Sequence, residues 1–302
     1  MNISTPIGTH DLSRQTFGLC AVFGSAFFFY LATVLIRWSA AYVTIPAAYF
    51  VFARLLLGFV LVAATMTLQR QRPRPMKYHL LVGRALGNTV AVFCFYKAVE
   101  TGPLAEANIL NMTYPLFVAV FSWLFLRGQR DMLSVLIVLV AFAGIWLVLA
   151  PDQIDPGWAS LWGLCSGMSA AVAIIYLNVS RRHHDSQTIL LFMFGLGAAI
   201  MLAGFHQLFF LPNYIELFFL LCCSAAGIIG QFLITFGFLY VTAVEGSIIS
   251  SSRILLAALL GPLLVADPPL TLMGWCGALL IFAANVTLAL RRAMPEAKKT
   301  IQ

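Results

Sequence analysis

Glu106, Asn108, Asn111, Thr113 and Pro115 stand within LAEANILNMTYPLF, residues 104–117, in surroundings that are otherwise rich in Leu, Phe and Ala. A second stretch, AVEGSIISSSRILL at 243–256, repeats polar residues at the four matching positions (Glu245, Ser247, Ser250 and Ser252) and adds Ser251 and Arg253. On a helix, Asn108, Asn111 and Pro115 share an arc of ~60°, with Glu106 and Thr113 on the opposite side. Carboxamides and hydroxyls in such a strip hold a small polar solute by hydrogen bonds, and an arginine beside them suits a carboxylate. A partly buried glutamate can carry a proton. This is recognition chemistry. No P-loop with GK[ST], HExxH or GxSxG occurs, so no catalytic residue and no cofactor is expected and the chain does not read as an enzyme. The six cysteines have no ligand-type spacing, and the adjacent His183 and His184 read as solvated, so no metal site is expected.

The elements that must position these groups are membrane helices. Of the 302 residues, 61% are hydrophobic and 10% charged, with a mean hydropathy of +0.93. Soluble domains carry roughly 45–50% apolar residues. The apolar blocks are about 20 residues long, the length of a helix that crosses the hydrocarbon core. Breaks at charges, Pro and Gly delimit ten spans: 16–36, 43–68, 78–98, 105–126, 132–150, 157–180, 187–208, 215–239, 244–266 and 270–290. With both termini in the cytoplasm, thirteen Lys and Arg fall on inner segments and two, Arg37 and Lys97, on outer loops. The same asymmetry accounts for the +7 net charge without nucleic acid. The expected setting is the bacterial inner membrane, with short cytoplasmic tails at 1–15 and 291–302.

The two halves, 16–150 and 157–290, resemble each other. FGLCAVFGSA at 17–26 matches WGLCSGMSAA at 162–171, Ala85 and Gly87 match Ala225 and Gly227, and the two polar stretches align 139 positions apart. Five spans per half is an odd number, so the second copy enters the membrane in the opposite sense. Inverted repeats are typical of secondary transporters, whose substrate binds near the midplane between the copies.

Further cavity candidates are Tyr30, Asn88, Tyr96, Tyr114, Tyr176, Asn178 and Gln231, each a hydrogen-bonding tip in or near an apolar span. Glu106 and Glu245 admit two readings, as proton carriers or gates and as helix-end caps. Pro115 removes a backbone donor near mid-membrane and predicts a kink there. Among the arginines inside spans, Arg54 reads as a structural or pairing group, Arg84 as a snorkelling one and Arg253 as the carboxylate holder. Gly83 with Gly87 and Gly163 with Gly167 have the small-xxx-small spacing of close helix packing.

With GPLAEANIL opening one polar helix and TAVEGSIIS the other, in two inverted five-helix halves, the chain resembles the drug/metabolite transporter superfamily, in particular its EamA-type exporters. The resemblance implies alternating access for small metabolites, often outward, with helices 1, 3 and 4 of each half lining the path. Arg54 matches an arginine common in that family. Members often carry an acid before the last helix of each half; Asp267 fills that place in the second half, whereas the first has Gly128, Gln129 and Arg130. The expectation is a secondary transporter, acting as a monomer in the lipid bilayer, that exports an amino acid or an amino-acid-derived zwitterion or carboxylate. The alternatives are an uptake permease or a multidrug exporter of the same superfamily; a channel or a membrane-embedded enzyme lies further off.

Overall fold

The computed structural model describes residues 9–125, 132–149, 158–240, 243–266 and 268–299, and no strand occurs among them. Eleven α-helices follow one another: α1 (Thr9–Ser39), α2 (Ala47–Leu68), α3 (Tyr78–Thr101), α4 (Leu104–Asn111), α5 (Tyr114–Phe125), α6 (Met132–Leu149), α7 (Trp158–Ser180), α8 (Ser186–Phe205), α9 (Tyr214–Tyr240), α10 (Ala243–Val265) and α11 (Leu272–Lys299). They make ten crossings, because the fourth is built from α4 and α5. Within α1, α2, α3, α7, α8 and α9 lie spans long and apolar enough to cross a membrane on length and composition alone. Shorter apolar stretches at Leu139–Val148, Ile249–Val265 and Leu272–Thr287 belong to α6, α10 and α11.

Local chemistry sets the boundaries. Pro46 and Pro103 hold extended backbone at ψ 143° and 136°, so α2 and α4 begin immediately after them. Asp185 caps α8 by accepting from the Thr188 amide at 2.9 Å. The fourth crossing breaks at Met112 and Thr113, just before Pro115, which has no N–H to give the Asn111 carbonyl in an unbroken helix. Pro115 instead occupies the first turn of α5, where its missing N–H costs nothing. The Met112 carbonyl exposed by the break accepts from Asn285 Nδ2 of α11 at 3.0 Å, and the Thr113 hydroxyl donates to the Leu110 carbonyl at 2.6 Å. The matching helix in the second half, α10, has Ile254 in place of Pro115 and runs unbroken past that point, with Pro262 further along.

The two halves interlock by exchange. Helix α3 packs on α7 while α1 packs on α9; α4 and α5 meet α7 while α10 meets α1; α2 pairs with α8 and α6 with α11. Each contact maps onto another, or onto itself, when the halves are swapped. Inversion also shows at the loops. The α2–α3 loop of the first half meets the α7–α8 loop of the second, where the Met76 and Lys77 amides donate to His184 Nε2 at 3.1 Å each and the Arg74 amide donates to Thr188 Oγ1 at 3.2 Å. The first-half counterpart of the α7–α8 loop is the α1–α2 loop, which lies at the other end of the bundle. There Trp38 Nε1 donates to the Leu264 carbonyl at 2.7 Å, and Arg37 reaches the Gly102 carbonyl at 3.0 Å. The end that holds Arg70, Arg72, Arg74, Lys77, Arg181 and Arg182 is called the basic end below.

Candidate functional site

A cavity of about 200 Å³ lies between the halves and runs from mid-bundle to the basic end, where the exposed Arg181 and Ser186 border it. Helices 1, 3 and 4 of each half line it, as α1, α3, α4 with α5, α7, α9 and α10, together with parts of α2 and α8. Its inner end is cationic and aromatic. Arg54 on α2 and Arg253 on α10, 6% and 5% exposed, flank the ring of Phe29 with their guanidinium carbons 5.4 and 6.0 Å from its centroid. Arg253 also lies over Phe95 at 5.1 Å. Such stacking uses the weakly hydrated guanidinium face and leaves N–H groups at its edge for a planar anion.

Each inner arginine has one neutral partner. Arg54 Nη1 donates to the Tyr96 hydroxyl at 3.0 Å. A Cβ on Gly227 would fall 2.7 Å from Arg54 Nε, so the bare glycine backbone of α9 is what gives that side chain room. Arg253 Nη2 donates to Asn111 Oδ1, and Asn111 Nδ2 donates in turn to Ser166 Oγ at 2.8 Å. That chain joins α10, α4 and α7 across the two halves. Arg253 Nε and the hydroxyls of Ser25 and Ser250, all buried, have no hydrogen-bond partner among the described residues, and all three residues line the cavity. Nearer the mouth stands Arg84, 5% exposed, with its Nε also unpartnered. No carboxylate lines the cavity among the described residues. The opposite wall is apolar, built from Ile174 and Leu177 on α7 and Ile189, Leu190 and Met193 on α8.

Of the residues singled out by sequence, the structure brings Asn88, Asn111, Tyr114, Gln231, Ser250, Arg253 and Arg54 to this cavity. Others lie elsewhere. Asn108 is fully buried one turn beyond Asn111, where its Nδ2 donates to Thr33 Oγ1 at 3.3 Å and to the Leu104 carbonyl at 2.9 Å, so it ties α4 to α1. Tyr96 stands behind Arg54 as its hydrogen-bond partner, Tyr30 and Ser251 are buried off the cavity wall, and Tyr176 covers Gly83 with its ring. Glu106 is half-buried at the far end of α4 and accepts from the Ser160 hydroxyl of α7. The side chains of Asn178, Glu245 and Ser247, and Asp267 altogether, fall outside the described residues. Gly87 faces the Ala173 backbone of α7, whereas Gly163 and Gly167 face α4 instead of α3.

Two expectations are corrected. Arg84 does not snorkel: it turns into the cavity, four residues before Asn88 on the same face of α3, a spacing visible in the sequence. His184 is not solvated either. It is 7% exposed, and with Nε2 facing two amide donors, its Nδ1–H donates to the Ser180 carbonyl at 3.2 Å. Ser25, Phe29 and Phe95 were not foreseen, since an aromatic or a small hydroxyl in an apolar helix carries no distinguishing pattern.

Comparison with known proteins agrees with this architecture. The EamA-like transporter family model matches residues 16–150 and again residues 157–290. An "Uncharacterized transporter" of Helicobacter pylori is 24% identical over 285 residues, 89% of this chain and 95% of its own. The "Pseudopaline exporter CntI" of Pseudomonas aeruginosa is 28% identical over 228 residues, 74% of this chain and 79% of its own. A solved crystal structure with 19% identity superposes with a TM-score of 0.58 over 92% of this chain and 96% of its own, a likeness of fold. Matched by one family model in each half, residues 16–150 and 157–290, the chain belongs to the EamA-like transporter family.

Proposed function

We propose that this transporter exports a small carboxylate-bearing metabolite, an amino acid or a compound derived from one, across the bacterial inner membrane by alternating access. The observation that carries the reading is the pair Arg54 and Arg253: buried, flanking Phe29, and without a carboxylate beside them among the described residues of the cavity wall. Uncompensated buried charge is costly, and a substrate carboxylate relieves that cost when it binds. The concentration of Lys and Arg at the cavity's open end supports a cytoplasmic mouth and cytoplasmic termini. A relative named as an exporter supports outward transport.

Rocking of the halves about the Arg253–Asn111 junction would close the basic end and open the other, where Trp38 and Leu264 now hold the halves together. One chain contains both copies of the repeat and the whole cavity, which supports action as a monomer. Proton coupling falls to Glu245 in this reading, because Glu106 engages Ser160 away from the cavity. Transport by a Glu245→Gln variant that kept its full pH dependence would remove that role. The experiment for the main reading is flux in proteoliposomes loaded with amino acids and dicarboxylates. Saturable efflux of a carboxylate, able to run against its gradient when an opposing gradient is supplied, is the expected result; linear, non-saturating conductance would point to a channel and overturn it.

A further inference from the structure

Four guanidinium groups line one cavity. Arg54 and Arg253 form its inner end, Arg84 stands nearer the mouth and Arg181 borders the opening, and no described carboxylate faces any of them across the cavity. The polar groups between them, Asn88, Asn111, Gln231 and the Ser25 and Ser250 hydroxyls, are neutral. Among the described residues, every formal charge on the cavity wall is therefore positive.

We infer that the substrate is a net dianion, a small metabolite with two carboxylates joined by an apolar body and with no free ammonium group. The inference rests on the carboxylate reading above and narrows it. A zwitterionic amino acid brings no net charge, and its ammonium would enter a wall whose formal charges, among the described residues, are all positive; like charges set against each other in a recognition site oppose binding. A dicarboxylate offers one planar anion to each inner guanidinium, and its methylene body matches the Ile174, Leu190 and Met193 wall. The unpartnered Nε of Arg253 and the Ser25 and Ser250 hydroxyls are donors that such oxygens would satisfy.

A matched series of probes with a five-carbon chain tests this: glutarate (net −2), glutamate (net −1), 5-aminovalerate (net 0) and the neutral diamide glutaramide, titrated into the purified wild-type transporter by calorimetry. Affinity is expected to fall by about tenfold or more from glutarate to glutamate and again from glutamate to 5-aminovalerate. In Arg253→Gln, the preference for glutarate over glutamate should shrink to roughly threefold or less. The wild-type series decides the matter even if that variant does not fold. Glutamate binding as tightly as glutarate, or more tightly, overturns the dianion inference and leaves the carboxylate reading standing. Glutaramide binding as well as glutarate, or no probe binding at all, overturns both.

Discussion

Arg253 of the second half donates a hydrogen bond to the Asn111 carboxamide of the first, and both residues line the same cavity. Across the inverted repeat Asn111 corresponds to Ser250, which stands one turn before Arg253 on α10. The junction therefore joins one copy's polar strip to the arginine that extends the other's. Replacing Asn111 by Asp would hand Arg253 a permanent carboxylate of nearly the same shape. We expect Asn111→Asp to fold with unchanged or raised Tm and to lose substrate affinity by about tenfold or more, roughly 1.4 kcal/mol, because an internal anion now competes for the guanidinium. Unchanged affinity in calorimetry would mean that the substrate does not use Arg253.

His184 fastens the α7–α8 loop to the α2–α3 loop through two backbone amides. His184→Ala leaves both amides without their acceptor, at an expected cost of about 1–3 kcal/mol. The effect should be local. Trypsin should cleave the Arg70 to Lys77 segment several-fold faster in the variant than in the wild type, with little change elsewhere. Equal cleavage rates would show that the loop is held by other contacts.

Asp185 caps α8 outside the membrane-spanning part of the chain. Burial alone would raise its carboxyl pKa, but hydrogen bonds from the Thr188 hydroxyl and amide, with backbone contributions from Asp185 and Gln187, hold it below the ordinary value of 3.8. A lowered folded-state pKa contributes stability that is fully present above the ordinary value and is lost as pH falls through the lowered one. Asp185→Ala should thus cost about 1 kcal/mol at neutral pH. Thermal unfolding measured from pH 7 down to acid should show the gap between variant and wild type closing only below the ordinary aspartate range; a gap that closes near pH 6 would contradict the capping role.

The break between α4 and α5 is covered by Gly167 of α7. A Cβ there would fall 2.6 Å from Thr113 Oγ1 and 2.8 Å from the Leu110 carbonyl, whereas a Cβ on Gly204 meets nothing within 4 Å. Gly167→Ala is expected to destabilise by roughly 1–3 kcal/mol, since backbone must move to admit it. Gly204→Ala should be neutral or stabilising by up to about 1 kcal/mol, the helix-propensity difference. Similar Tm shifts in the two variants would show that α7 does not approach the break closely.

How much of this was legible in the sequence depends on what kind of signal each feature leaves. The crossings were, because apolar blocks end at charges, Pro or Gly: α3 begins at Tyr78, where the sequence puts it, and α8 at Ser186, one residue before the expected start. The break in the fourth crossing was half legible. Pro115 announces a lost hydrogen bond, but the bond lost is the one to Asn111, so the helix parts upstream of the proline. Asn108 shows the limit of periodicity, which assigns a face and not a depth. It shares a face with Asn111, yet lies beyond the closed end of the cavity against Thr33. Arg84 was assigned to snorkelling from its distance to the helix end, and only the packing of α3 against α7 turns it inward. Phe29 and Phe95 acquire their role only when two arginines from different halves close on them.

The transport site proposed above, the cavity between Arg54 and Arg253, can be probed by exchange of labelled glutarate in proteoliposomes holding wild type, Arg54→Gln or Arg253→Gln, each first shown to be folded by its melting curve. Saturable exchange is expected of the wild type, accelerated by unlabelled glutarate on the far side, with a loss of about tenfold or more in each variant at subsaturating substrate. Exchange at the wild-type rate by both folded variants would contradict that proposal.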